Sequence, residues 1–161
     1  MNPVIDPARE KVERADEALR DYQQSVVDDP TVFVKGAGLG ALVLVELAKL
    51  AQAQSPEAAV RAYAERIRRT QESLRRELAE VAGRKGFDVP ASIVHEDELM
   101  LGAAPEDPAA LESWFYRQSR LEHFKATALF DAATRMKDAD LAAFAQQMLP
   151  RLAADRDAAP Y

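Results

Sequence analysis

FDVPASIVHEDELMLGAAPED, residues 87–107, separates two long helical segments and decides how they can be arranged. It follows Gly86, carries Pro90 and Pro105, and ends in Asp107-Pro108, an N-cap residue followed by a proline suited to the first helical position. A connection this long can run the height of a helix pair, so the helices on its two sides need not be antiparallel neighbours. A short helix is predicted inside it, over Pro90–Leu101. The other links are tight. Ser55-Pro56-Glu57 restarts the chain with another N-cap and proline, and Asp138 caps a last segment.

Outward from the crossover, apolar residues recur at steps of three and four, and no window shows convincing period-two alternation. Helices are predicted from about Thr31 to Gln54, from Ser55 to Arg84, from Pro108 to Met136, and from Asp138 to Asp157 with a kink at Pro150. Ahead of them, Ala8, Val12, Ala15, Leu19, Tyr22 and Val26 draw a heptad-like stripe, one contact wide, on a charged helix that Asp28, Asp29 and Pro30 end. Two tight links around one long crossover predict an all-α fold. Its body is a ferritin-like four-helix bundle over residues 31–158, with the crossover between its second and third helices. Residues 1–30 form an amphipathic helical arm and 159–161 a tail. The arm's stripe must pack on something: its own bundle, a second copy in a homodimer, or a partner protein.

Composition narrows the function. The 161 residues fit one domain, and 48% hydrophobic against 30% charged residues permits a packed core. The absence of cysteine excludes disulfides, thiolate metal sites and thiol nucleophiles. Two histidines cannot make a three-histidine zinc site. A net charge of −6 disfavours nucleic acid and anionic membrane surfaces as partners. The most apolar run, Leu39–Leu50, is interrupted by Glu46 and Lys49 and is too short to span a membrane. Met1–Glu10 is no leader peptide, so the chain reads as cytoplasmic as written, and as exported if a leader has been removed.

Each main helix places one polar side chain on its apolar stripe: Glu46 among Leu39, Val43 and Leu50; Gln71 between Ile67 and Leu74; His123 between Phe115 and Phe130; Asp155 beyond Leu152. An unpaired polar group there costs several kcal/mol, so something should satisfy it. If the second and third bundle helices run parallel, Gln71 and His123 share a level, with Glu46 and Asp155 roughly 10 Å away along the axis. One central cluster then forms, with Glu46 and His123 buried and within a water-bridged contact of each other. Such a cluster is polar or water-filled, or it holds a weakly bound divalent metal on Glu46, His123 and Asp155, with Gln71 as a neighbour that is not a ligand; the remaining alternative is no cluster, with Glu46 facing solvent.

Other motifs fall short. Gly36-Ala37-Gly38-Leu39-Gly40-Ala41 fits a dinucleotide fingerprint but no second strand follows, so its glycines read as allowing close helix packing. His95-Glu96 has Leu99 where a zinc protease needs histidine. A diiron centre needs Glu-x-x-His, and Ser92 and Arg120 stand three places before the two histidines. Arg66, Arg68, Arg69, Arg75 and Arg76 are interleaved with Glu65, Glu72 and Glu80 as ion pairs on a solvated face. Trp114 reads as a core or arm-packing aromatic. No catalytic motif or organic cofactor emerges.

Phe33-Val34-Lys35, Val45 through Ala51, Ala64 with Arg66-Ile67, Leu78 through Ala82 with Lys85-Gly86, His123 before Ala128-Leu129-Phe130, and Phe144-Ala145 before Leu149-Pro150 and Leu152 occur in a telling order. Over Thr31–Ala158 the chain resembles the bacterial domain of unknown function 4142. The resemblance implies a ferritin-like bundle, usually exported, with no established activity. It also implies a glutamate at the position of Glu46 and histidines at those of Gln71, His123 and Asp155. This chain keeps the first and third and departs at the other two, which weakens or alters any metal site there. The reading is a binding or structural protein with a polar core cluster; the alternative is a divalent-metal-binding or metal-dependent oxidoreductase relative.

Overall fold

Aspartate and proline set most of the helix starts. Asp6, Asp29, Asp107 and Asp138 hold extended backbone and accept hydrogen bonds from Ala8, Thr31, Ala110 and Leu141, and the first three are followed by proline in the first turn. The computed structural model describes residues 6–160. Among them are six helices and no strand: α1 (Pro7–Asp28), α2 (Pro30–Gln54), α3 (Ala58–Arg84), α4 (His95–Gly102), α5 (Pro108–Ala133) and α6 (Ala139–Asp157). α3 lacks a cap from its own first residue, and Ser55 Oγ instead accepts from the Glu57 N–H at 3.2 Å. Gly86, at φ +77°, turns the chain out of α3.

Three boundaries differ from the sequence reading, the first being that of α3, which starts at Ala58 rather than at Ser55. The crossover helix starts at His95 rather than Pro90, and the stretch before it has no regular structure and lies against α2. A Cβ on Gly38 would stand 2.8 Å from Pro90 Cδ and 3.0 Å from Val89 Cγ1, so glycine is what lets this strap approach. α5 ends at Ala133, where a turn replaces the last expected turn of helix. α6 runs through Pro150 to Asp157, the predicted end, and Pro150 forgoes one backbone hydrogen bond.

Two apolar clusters fill the interior. One joins the starts of α2 and α6 to the ends of α3 and α5, through Phe33, Leu78, Phe130 and Phe144. The other joins the end of α2 to the starts of α3 and α5, through Leu47, Ile67 and Phe115, and also buries Trp114. Hence α2 and α6 point one way and α3 and α5 the other. Lys85 Nζ, 3.2 Å from Asp138 and 3.0 Å from Asp140, ties the end of α3 to the start of α6. α2 packs on α3 and α5, and α6 packs on the same two, closing a ring. The crossover runs from one cluster to the other, with Phe87 and Val89 on the first and Ile93 and Leu101 on the second.

α1 lies on α2 and α5. Val26 is buried, whereas Val12, Leu19 and Tyr22 stay exposed, so the arm is attached to its own chain by its last turns. α2 is long and apolar enough to cross a membrane by length and composition alone, and 61% of its most apolar window is buried inside the fold.

Candidate functional site

The two apolar clusters are separated by polar side chains. Gln71 falls between Ile67 of one cluster and Leu74 of the other, Ser119 and His123 fall between Phe115 and Phe130, and Asp155 follows Leu152. All four are buried. The parallel course of α3 and α5, with α6 opposed, brings them to the boundary between the two clusters. By helical rise, Gln71, His123 and Asp155 lie roughly 15–24 Å from the same end of the ring.

His123 Nδ1 lies 2.8 Å from the Ser119 carbonyl oxygen. A carbonyl only accepts, so Nδ1 carries the proton and Nε2 presents a lone pair to the interior. Burial pushes the imidazole below its ordinary value of 6.5, against the Ser119 carbonyl and the Asp155 carboxylate, which favour the charged ring, and with Arg156, which disfavours it. Asp155 is held from two sides. Arg66 Nε donates to its Oδ1 at 2.7 Å, and the Tyr63 hydroxyl donates to its backbone oxygen at 3.1 Å. Four atoms of the layer remain buried without a hydrogen-bond partner: Gln71 Nε2, Ser119 Oγ, His123 Nε2 and Asp155 Oδ2. Two are acceptors, one is a donor, and the hydroxyl serves as either.

Glu46 does not join them. Its side chain is 42% exposed and pairs with Lys49 at 3.4 Å. This corrects the expectation that Glu46 and His123 are buried together. α2 is apolar on so much of its circumference that Val43, Leu44, Leu47 and Ala48 fill its inward positions and leave Glu46 at the edge. Among the described residues no group of three or more His, Asp or Glu side chains is placed to hold a metal ion. His95 stands exposed at the start of α4, 3.7 Å from Glu98.

Sequence reasoning passed over two members of the site. Ser119 sits on the same stripe as His123, but a serine gives no chemical signal of its own. Arg66 looked like one of a solvated run. Its neighbours do behave so, since Glu65 pairs with Arg68 and Arg69 at 3.0 and 2.8 Å, whereas Arg66 turns to Asp155 across the α3–α6 boundary. The signal available was its place one residue before the buried Ile67. The groove above it, about 430 Å³, also holds Arg69 and Arg151, each with an acidic partner, so it is no open anion site.

The depressed His123 imidazole has a measurable consequence. The folded ring binds its proton more weakly than the unfolded one, so protonation favours the unfolded chain. Stability is full above pH about 6.5 and is lost as pH falls through that value towards the folded pKa. Urea unfolding of wild type is expected to show this acid limb, and His123→Gln is expected to lack it. An unchanged limb in the variant would assign it to other groups.

A family model described as Domain of unknown function (DUF4142) matches residues 15–160. The match is wider than Thr31–Ala158 and begins inside α1. No curated protein matches the chain, and no solved structure does.

Proposed function

We propose, on the premise that this chain belongs to the DUF4142 family, that it is a ferritin-like four-helix bundle acting as a binding protein. The polar layer of Gln71, Ser119, His123 and Asp155 is its binding centre. The observation that supports this is the set of four buried, unpartnered atoms on three helices, between two apolar clusters. Leaving such groups unsatisfied is costly, and their mix of donors and acceptors suits a small hydrogen-bonding guest, a water molecule being the smallest. The Glu-x-x-His pairs of a diiron centre are absent, so no iron chemistry is derived from the ferritin-like likeness.

A second reading has one observation in its favour. His123 Nε2 and Asp155 Oδ2 are both buried, both acceptors, and both backed by a partner on their other atom, as metal ligands are. Two such donors make a weak site for a divalent cation. Nitrogen NMR of histidine-labelled, untagged protein separates the readings. The expected result is a neutral His123 with its proton on Nδ1 and a hydrogen-bonded Nε2, unmoved by micromolar zinc. Stoichiometric zinc uptake that moves Nε2 and is lost in His123→Gln would replace the first reading with the second.

A further inference from the structure

We propose that the cleft beneath α1 binds an uncharged, mainly apolar small molecule whose single hydrogen-bond-accepting end, of the carbonyl kind, is received by Gln71. The cleft encloses about 500 Å³ between α1, α2 and α5 and reaches inward to α3, a volume in the range of small-molecule sites. Its walls include Leu19 and Tyr22 of α1, Gly40 and Ala41 of α2, and Ala126 and Leu129 of α5. Small residues on the facing sides of α2 and α5 hold the space open. A Cβ placed on Gly40 would meet nothing within 4 Å. Glycine there serves no close packing, and the sequence reading of Gly36–Ala41 as a helix contact is corrected at this position.

The independent observation is at the inner end. Gln71 lines the cleft, is 1% exposed, and leaves its buried Nε2 without a hydrogen-bond partner. A donor so placed discriminates strongly for a guest that brings an acceptor. Charge decides the rest of the ligand's chemistry. Among the described lining residues Lys125 is the one cation, and Glu122 already pairs with it at 2.8 Å, while Asp97 adds a second carboxylate. An anionic guest would find no free counter-charge, and a carboxylate beside the neutral Gln71 amide would be buried unpaired. An uncharged carbonyl suits both ends of the site.

This goes beyond the polar layer, with which it shares only Gln71. The test uses prodan, an uncharged dimethylamino-naphthyl ketone whose emission reports apolar surroundings, with ethylnaphthalene as a guest lacking the carbonyl. The full chain is expected to bind prodan saturably with a blue-shifted emission. Gly40→Leu fills the cleft from an open position and is expected to weaken binding by at least about tenfold, while circular dichroism and melting show an intact fold. Gly40→Val, with a shorter side chain, is measured beside it in case the larger one fails to fold. Gln71→Leu is expected to weaken prodan by about five- to tenfold and leave ethylnaphthalene unweakened. No saturable prodan binding, or binding unchanged in a folded Gly40 variant, overturns the cleft as the site. Equal losses for both guests in Gln71→Leu, or a loss for neither, overturn the carbonyl contact.

Discussion

Phe33→Ala is expected to cost the fold about 4 kcal/mol, the largest loss from any one substitution considered for this chain. Phe33 is fully buried near the start of α2. Its ring meets Phe130 of α5 edge-on, with centroids 5.1 Å apart and planes at 76°, and Phe144 of α6 at 6.3 Å. Phe130 and Phe144 touch in turn at 5.9 Å, so three helices meet through one aromatic triad. Truncation removes both the buried area and the edge-to-face contacts, and rigid neighbours refill such a space only in part. Phe33→Leu, which conserves most of the volume, is expected to lose less than about 2 kcal/mol. Urea unfolding followed by circular dichroism measures both. A Phe33→Ala loss below about 1 kcal/mol would mean that the triad does not hold these helices together.

Arg66→Met is expected to cost about 2 kcal/mol at neutral pH, through Asp155 more than through the arginine itself. The Asp155 side chain is 4% exposed and its carboxylate leans on Arg66, whose own side chain is 49% exposed. Removing the cation leaves a buried carboxylate with no opposite charge, and the half-exposed geometry keeps the penalty below that of a fully buried pair. Removing both charges with Arg66→Met/Asp155→Leu is expected to recover most of the loss. The double-mutant cycle reads the coupling directly. Strictly additive effects would show that the two charges do not sense each other.

The helices were legible in the sequence because their starts are local chemistry. Asp107-Pro108 and Asp138 cap where they stand, whatever the rest of the chain does, while Asp29, read only as the end of the arm, caps α2 as well. The polar layer was legible in part. Gln71, His123 and Asp155 interrupt apolar stripes, and the structure buries all three. Glu46 misled because α2 has no clear polar face: Val43, Leu44, Val45, Leu47 and Ala48 are all buried, so periodicity alone did not give its orientation. Arg66 and the cleft were illegible for another reason. An arginine that crosses to a partner 89 positions away leaves no local trace, and the space beside Gly40 exists only once α1, α2 and α5 are placed together.

The two tight links and the long strap between them also bear on how the molecule comes together in time. α2 with α3, and α5 with α6, are hairpins of near neighbours in sequence, able to form early because their loops close cheaply. Neither hairpin encloses an apolar cluster alone, since both clusters draw side chains from both hairpins. Both clusters are therefore completed only when one hairpin docks on the other, with the strap running between them. Gln71 arrives on one hairpin and Ser119, His123 and Asp155 on the other. A docking displaced along the helices would set buried polar groups against aliphatic side chains, which costs free energy. The polar layer is a register mark, read once in the life of each folded chain.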